Sequence, residues 1–257
     1  MTPLPTFVVI GAQKSATRWL RTNLGKHPDV YTAAREIVFF SSAERFERGE
    51  AWYREQFEGW DGERVVGEAS PAYMMWRHRP EVVADRMHGT LGVVPLVAIL
   101  RNPVDRARSA FVHHLDQGRV PAGTGLLEHV RACPPEQDRL GIVSGGWYAA
   151  SLRPYRERFG DRLLVLVHDD LGTDAAGIYR TTLRHVGADE SFVPPALDRV
   201  RFSIRARDGE SEAAELSPDE RAELYAYFRD DVTQLEELLG RDLSMWDPSG
   251  GATDAQV

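Results

Sequence analysis

VIGAQKSATRWL, residues 9–20, joins the end of an apolar run to the start of an amphipathic segment. The β-branched run before Gly11 predicts a buried strand over residues 6–12. Apolar side chains then recur at helical spacing from Thr17 onward until Gly25, which favours a helix that ends there. A strand, a loop and a helix in this order form the first unit of a parallel α/β fold.

The same alternation continues to about residue 187, without an internal repeat. Three further strands are predicted, at 63–73, 92–100 and 161–171, and residues 29–41 are expected to be a short extended or loop segment. Helices are predicted at 42–60, 79–89, 101–115, 146–160, 174–187 and 217–240. The pattern predicts an α/β protein with a central, mostly parallel β-sheet flanked by helices. We expect a single domain over residues 1–247 and a frayed tail over 248–257.

The composition is that of an ordinary soluble protein, with 42% hydrophobic and 27% charged residues. Cys133 is the only cysteine, so no disulfide can form within the chain. No stretch has the pattern of a signal peptide or the length of a membrane span, so we expect a cytoplasmic protein with no membrane partner. A formal net charge of −8 argues against nucleic acid as a partner, but it allows a small anion in a local basic pocket.

The loop in residues 9–20 differs from the common phosphate-binding loop. A Walker A loop reads GxxxxGK[ST], with lysine directly after the last glycine. Here Lys14 comes early, and Ser15 and Thr17 follow it toward the helix. Backbone N–H groups at a helix N-terminus carry about half a positive charge, and these side chains add donors, which favours an anion site. The alternative is a plain turn in which Lys14 points into water.

Two motifs, in the order in which they follow each other along the chain, resemble those of sulfotransferases that use 3′-phosphoadenosine-5′-phosphosulfate (PAPS). FVVIGAQKSATRWLRTNLGKHPDVYTAAREIVFFS, residues 7–41, is similar to that family's opening loop, its H-P pair and its acidic residue before two phenylalanines. AILRNPVDRARSAFVHHL, residues 98–115, resembles the second signature, R-x-P-x-x-R after a strand. The resemblance covers roughly residues 6–246 and is closest in style to the heparan-sulfate-modifying branch and its bacterial relatives. It implies a P-loop-like sulfotransferase fold.

The resemblance also implies which residues contact the nucleotide. The 5′-phosphosulfate is assigned to Lys14, Ser15, Ala16, Thr17 and Arg18. The 3′-phosphate is assigned to Arg101 and Ser109. The spacing of this pair agrees independently, because Arg101 ends a predicted strand and Ser109 lies two turns into the next helix, near the sheet edge where α/β proteins bind ligands. The alternatives are a surface ion pair for Arg101 and a small packing residue for Ser109.

Glu36 matches the family position of the general base. A carboxylate followed by two aromatic residues could lie at a partly desolvated pocket edge, where its pKa would rise toward the working range. The alternative is an ordinary exposed glutamate beside Arg35. His113 and His114, on the helix after Arg101, are rival bases, although a lone histidine in such a place is more often structural.

The chain departs from the family pattern at three places. Ala16 replaces the usual loop glycine, which is tolerated if its φ is negative. Ala69 stands in GEASPAY where many heparan-type members carry a lysine. The family's late disulfide loop is absent, and VRFSIRARDGES, residues 200–211, occupies that region, where Arg205 and Arg207 could supply phosphate contacts.

These features predict an enzyme that transfers a sulfuryl group in line from PAPS to a hydroxyl or amine, without a metal. The nucleotide product is 3′-phosphoadenosine 5′-phosphate (PAP). Lys14 would stabilise the leaving group, and Glu36 would take the acceptor proton. The rival hypotheses are a P-loop kinase or NTPase that uses Mg-ATP, and a non-catalytic nucleotide-binding protein.

The nature of the acceptor is predicted from charge. Heparan-type enzymes bind a polyanion through basic grooves, whereas this chain is acidic overall. We therefore expect a small-molecule or glycoconjugate acceptor, such as a bacterial secondary metabolite. The pocket for the acceptor could be lined by residues 116–146 and by the aromatic side chains of Tyr73, Trp76 and Trp147. The alternative for each of the three aromatic residues is burial in the core. No pattern in the sequence indicates an oligomeric state.

Overall fold

The central sheet is parallel throughout. Within residues 2–195, 197 and 214–249, the part of the chain that the computed structural model describes, five strands form one sheet. They are β1 (Phe7–Gly11), β2 (Val30–Thr32), β3 (Val65–Ala69), β4 (Leu96–Leu100) and β5 (Leu163–Val167). Their order across the sheet is β2-β3-β1-β4-β5, and each neighbouring pair is parallel. The predicted α/β class with a parallel sheet is confirmed.

The strand order reverses between β1 and β4. After β1 the chain adds β2 and β3 on one side, and it then returns to add β4 and β5 on the other. In open α/β sheets, ligands bind outside the carboxyl ends of the strands at such a switch point. The loop after β1 and Arg101 after β4 both leave the sheet there.

Three strands are buried along their whole length: β1, β3 and β4. Continuous apolar runs are typical of parallel strands covered on both faces, which explains why these segments were recognisable. Side chains of β1 and β4 form a core with apolar residues from the helices 17–24 and 171–186. Gly67 is opposite Phe7, and a Cβ at Gly67 would lie 2.2 Å from that ring, so the pairing requires glycine.

The edge strand β2 lies in a segment whose prediction left two alternatives open. Residues 29–41 were predicted to be a short extended or loop segment, and Val30–Thr32 takes the extended form and pairs with β3. Only Val30 of these three residues is buried. A three-residue edge strand carries too little apolar periodicity to be recognised from sequence.

The helices have the following bounds in the described residues: α1 Thr17–Leu24, α2 Ala43–Glu47, α3 Gly49–Glu55, α4 Pro80–Leu91, α5 Pro103–Asp116, α6 Leu126–Ala132, α7 Tyr148–Phe159, α8 Leu171–Val186, α9 Pro218–Ala226 and α10 Arg229–Leu239. The chain divides into two compact units. The first is Met1–Arg101 with Ser151–Phe202 and holds the sheet, and the second is Asn102–Ala150 with Ser203–Val257. The single domain over 1–247 stays a prediction.

Two helices that were predicted as continuous are each split in two. The predicted helix 42–60 becomes α2 and α3, because Gly49 takes a φ of 79° at the junction. The predicted helix 217–240 becomes α9 and α10, with the break at Tyr227 and Phe228. Phe228 is fully buried, and a Cβ added to Gly146 would lie 2.8 Å from its ring. Tertiary packing at Phe228 therefore overrides a sequence that has no local helix breaker there.

Other predicted helix ends are partly observed. Helix α4 continues through the predicted stop at Gly89 to Leu91, and α8 starts at Leu171 rather than at residue 174. The side chain of Ser217 accepts the backbone N–H of Glu220 in a capping box, and Gly240 closes α10 with a left-handed φ of 61°. Asn102 caps α5 by accepting the N–H groups of Val104 and Asp105. Of the predicted tail 248–257, only residues 248 and 249 are among those described. Among the helices of the described ranges, none is both long and apolar enough to cross a membrane.

Candidate active site at the carboxyl ends of the strands

The loop between β1 and α1 has an unusual backbone. Lys14 and Ala16 both have a φ of 68°, in the left-handed region. Loops that contain left-handed residues form concave nests of N–H groups that bind anions. Ala16 is also the N-cap of α1 and provides no side-chain cap. The first N–H groups of a helix have no partner within it, so this loop presents donors at the end of β1.

The conformation of Ala16 corrects an expectation. The alanine was expected to be tolerated if its φ were negative, but its φ is positive. A Cβ in the left-handed region costs about 1–2 kcal/mol. The loop therefore keeps the backbone shape that a glycine would adopt without strain, although the residue is alanine.

Ser15 lies at the base of this loop. Its side chain is fully buried, and its Oγ has no hydrogen-bond partner among the described residues. The side-chain oxygen of Gln13, Oε1, is likewise buried without a described partner. Burying an unpaired polar group costs free energy, and such groups in native proteins call for an explanation. An anion or its hydration shell in the loop would satisfy the Ser15 hydroxyl.

Arg101 reaches the same loop from the neighbouring strand. It directly follows β4, which pairs with β1. The guanidinium Nη1 of Arg101 lies 3.5 Å from the carbonyl oxygen of Lys14. Two positions that are 87 residues apart in the sequence are thus adjacent at the switch point of the sheet.

A cavity of about 270 Å³ opens beside the start of α1. It is lined by Thr17, Arg18, Arg21, Ala34, Arg35, Glu36, Ala69 and Pro71. The structure thus brings together two predicted phosphosulfate contacts, Thr17 and Arg18, and the predicted base, Glu36. Ala69, one of the departures from the family pattern, lies on the wall of this same cavity.

The environment of Glu36 changes its acidity. Partial burial raises the pKa of this carboxyl above 4.5, and the positive charge of Arg21 opposes that rise. A raised pKa is the direction expected of a carboxylate that acts as a general base. By accessible surface, however, Glu36 is an exposed residue, as is Arg35 beside it in the sequence, so the alternative of an exposed glutamate stays open.

The remaining predicted residues belong to the second unit or lie outside the described residues. Ser109, His113 and His114 are on α5, in the second unit. Ser109 and His114 are buried, and the Nε2 of His114 lies 3.0 Å from the carbonyl oxygen of Leu140, as in a structural histidine. Their roles stay predictions. Arg205 and Arg207 lie outside the described residues.

The three aromatic candidates for an acceptor pocket differ in their surroundings. Tyr73 is fully buried, and its hydroxyl donates to Glu68. Trp147 donates its indole N–H to the carbonyl oxygen of Tyr227 within the second unit. Trp76 is 43% exposed. Of these residues, Tyr73 is part of the core.

Sequence reasoning missed several residues around the cavity. Arg21 and Arg35 line it, and no motif singled them out as site residues. Glu68 and Ser70, in GEASPAY, are buried directly next to the cavity residues Ala69 and Pro71. The signal that could have found Glu68 is a charge in an otherwise apolar strand, because a buried carboxylate must be paired. Within the described ranges, no group of three or more His, Cys, Asp or Glu side chains is placed to hold a metal ion.

Comparison with known proteins places this geometry in a family. A sulfotransferase from Alicyclobacillus acidocaldarius has a similar structure, with 30% sequence identity, a TM-score of 0.78, and coverage of 94% of this chain and 98% of that one. Human heparan sulfate glucosamine 3-O-sulfotransferase 6 is 33% identical over 174 residues, which are 67% of this chain and 49% of that protein. No protein-family profile matches the chain. The chain belongs to the sulfotransferase family.

A more distant structure supports the fold alone. Mouse sulfotransferase SULT7A1, whose structure was solved in complex with PAP, has a TM-score of 0.54 at 13% identity and covers 93% of this chain and 90% of that one. The predicted P-loop-like sulfotransferase fold and the predicted enzyme family are therefore confirmed. The chain spans about half the length, or less, of the curated relatives it matches.

Proposed function

We propose that this protein transfers a sulfuryl group from PAPS to a hydroxyl or amine of a small-molecule or glycoconjugate acceptor. The observation that supports the proposal most is the shared cavity, in which residues of the candidate phosphosulfate loop and Glu36 face one space of about 270 Å³. An anion-binding group and a carboxylate base side by side are what such a transfer requires.

The residues of the loop fit the phosphosulfate end of PAPS. The left-handed Lys14 and Ala16 shape the loop for an anion, and the buried hydroxyl of Ser15 has no described protein partner. Thr17 and Arg18 continue the donor set into the cavity. Together these groups would hold the 5′-phosphosulfate.

The 3′-phosphate is assigned to other residues, three arginines and a serine. Arg101, beside the Lys14 carbonyl, is the first of them. Ser109, Arg205 and Arg207 are proposed as further contacts. Hydrogen bonds to a charged group contribute about 1.5–3 kcal/mol each, so loss of Arg101 is expected to weaken binding measurably.

PAPS, when bound, supplies the sulfuryl group and PAP as the leaving group. Glu36 accepts the proton of the acceptor hydroxyl or amine while the new bond to sulfur forms and the sulfur–oxygen bond to the phosphate breaks. Lys14 neutralises the negative charge that builds up on the phosphate oxygen. Preorganised donors of this kind are worth about 10²–10³ in rate, and a positioned base about 10²–10⁴. The scheme needs no metal.

The acceptor is proposed to be small or weakly charged. The net charge of −8 disfavours a long polyanion, even though the similar human protein is named for heparan sulfate. A bacterial secondary metabolite or a glycoconjugate fits this charge. Location in the cytoplasm also stays a prediction.

Nucleotide binding in the presence of a chelator tests the donor. We expect PAP, with EDTA present, to raise the melting temperature, because a ligand at 100 times its Kd stabilises the folded state by about 2.7 kcal/mol. Mg-ATP at the same concentration should do less. A response to Mg-ATP alone would support a kinase or NTPase, and a response to neither nucleotide would remove the basis for a PAPS-dependent reaction.

A further inference from the structure

Glu68 is a buried carboxylate that three hydroxyl groups surround. Only 1% of the residue is exposed. Its Oε1 accepts the hydroxyls of Tyr53 at 2.6 Å and Tyr73 at 2.8 Å, and its Oε2 accepts the hydroxyl of Ser70 at 2.7 Å. Burial raises the pKa of Glu68, and these three hydroxyls and the backbone N–H of Ile37 oppose that rise. The carboxylate is thus fully engaged, and none of its partners is exposed.

Ser70 connects this carboxylate to the chain segment that carries Glu36. A serine hydroxyl has one proton and two lone pairs. Because the proton goes to Glu68, the oxygen of Ser70 faces the segment as an acceptor. It accepts the backbone N–H groups of Ile37 and Val38, each at 3.1 Å. The N–H of Ser70 donates to the carbonyl oxygen of Val9 in β1 at 3.0 Å, which ties this contact to the sheet.

The segment held by Ser70 is strained. Val38 has a φ of 49°, in the left-handed region, where a β-branched residue is an outlier. Such conformations persist only where the surroundings over-determine them, and they cluster at functional sites. The guanidinium of Arg45 donates to the carbonyl oxygen of Ile37, and the N–H of Ser42 donates to that of Val38 at 3.1 Å. Glu36, directly before this segment, lines the cavity.

We propose that Ser70, oriented by Glu68, is a positioning residue that fixes the backbone of residues 37–38 and thereby the direction of Glu36 in the cavity. The catalytic consequence rests on the proposed function, because it takes Glu36 as the base. The positioning itself is a property of the fold and can be measured without PAPS or an acceptor.

The hydroxyl of Ser70 matters because it is the acceptor that both N–H groups share. The N–H of Ile37 also interacts with the Glu68 carboxylate, so the N–H of Val38 depends most on Ser70. In Ser70→Ala a hydrogen atom replaces this hydroxyl, which removes the oxygen that both backbone donors share, next to a strained residue. The segment then relaxes, and Glu36 samples more orientations. A displacement of about 1 Å at a reacting group can lower a rate about 10²-fold. Binding of PAP should change little, since Ser70 does not line the cavity.

The test compares Ser70→Ala with Tyr53→Phe. Both variants remove one hydroxyl from Glu68, but only Ser70 contacts residues 37–38. The ring of Tyr53, stacked on Phe39 at 4.3 Å, is kept in the control. Amide hydrogen exchange at Ile37 and Val38 is measured together with the titration of the Glu36 carboxyl carbon by NMR.

In Ser70→Ala we expect exchange at these two amides to accelerate about tenfold, and the Glu36 titration midpoint to shift. Tyr53→Phe should leave both near the wild-type values. Ser70→Thr, which keeps the hydroxyl, should restore them. If Ser70→Ala fails to fold, Ser70→Cys replaces it, because a thiol of similar shape is only a weak acceptor.

Unchanged exchange and an unchanged Glu36 titration in a folded Ser70 variant would overturn the proposal. Equal effects of Tyr53→Phe would also overturn it, because they would point to general loosening around Glu68. Failure of the proposed function has a different signature. If the proposed function is wrong, PAP does not bind the wild-type protein. The differences in amide exchange and in the Glu36 titration between the variants would still be observed.

Discussion

The guanidinium Nη1 of Arg101 lies 3.5 Å from the carbonyl oxygen of Lys14. The contact joins the two sequence motifs on which the family resemblance rests, one after β1 and one after β4. Adjacent parallel strands deliver their following residues to the same edge of the sheet, so this meeting follows from the strand order. It places a cation that cannot be deprotonated next to the candidate anion loop.

Arg101→Ala should reduce selectivity for the 3′-phosphate. We expect the affinity for PAP to fall about tenfold or more, while the affinity for 5′-AMP, which lacks that phosphate, changes little. Calorimetric titration of both nucleotides gives the ratio. If the two affinities fell equally, Arg101 would act only by supporting the loop at Lys14. Arg180→Ala, on the exposed side of α8, is the matched arginine control and should bind both nucleotides as the wild type does.

Lys14→Ala should nearly abolish sulfuryl transfer. A preorganised donor at the leaving group contributes about 10²–10³ in rate. Lys26, the other lysine of the chain, is exposed, and its Nζ donates to Asn23 at 2.8 Å. Lys26→Ala is therefore the control with the same charge change. Initial rates of PAP release report both variants, and equal rates for the two would remove Lys14 from the mechanism.

Glu36→Gln should lower transfer by about 10²–10⁴ and leave PAP binding intact. The wild-type rate should fall as the pH drops through the folded-state pKa of Glu36, because only the ionised carboxylate accepts a proton. Burial raises that pKa, so the acid limb of the pH–rate profile should have its midpoint above 4.5. Full turnover by Glu36→Gln would transfer the role to His113 or His114.

The same pKa shift has a consequence for stability. A carboxyl whose pKa is raised on folding favours the folded state while it is protonated, and that contribution disappears as the pH rises through the folded-state pKa. At neutral pH the ionised Glu36 thus works against folding, and Glu36→Gln should unfold at a higher urea concentration than the wild type at pH 7. A loss of stability there would show that Glu36 makes favourable contacts when ionised.

Ala16→Gly should stabilise the protein by about 1 kcal/mol, because glycine adopts a positive φ without the strain that a Cβ causes. Ala51→Gly, at an exposed position inside α3, should have the opposite effect, since glycine in a helix costs about 0.5–1 kcal/mol. Urea denaturation measures both. Destabilisation by Ala16→Gly would mean that Ala16 does not hold the left-handed conformation.

Much of the fold could be predicted because its determining strands are buried apolar runs. β1, β3, β4 and β5 were visible in the sequence, whereas the three-residue β2 was not. The break at Phe228 escaped prediction because packing beside Gly146, far away in the sequence, causes it. Local propensity carries no information about such contacts.

Some residues of the candidate site could likewise be predicted from the sequence, and others could not. Lys14, Ser15 and Thr17 follow from the loop motif, and Glu36 follows from the family resemblance. The link through Ser70 could not be predicted, because it depends on two backbone N–H groups 32 and 33 residues away. The left-handed φ of Ala16 could not be predicted either, because a glycine at this position would indicate a positive φ and an alanine does not.

The central claim is tested most directly by incubating the protein with PAPS and metabolite extracts and following products by mass spectrometry. We predict at least one compound that gains one SO₃ group, with an equal amount of PAP released, and loss of both signals in Lys14→Ala and Glu36→Gln. The absence of any such product from a wild-type protein that binds PAP would contradict the account, as would product formation that does not depend on Lys14.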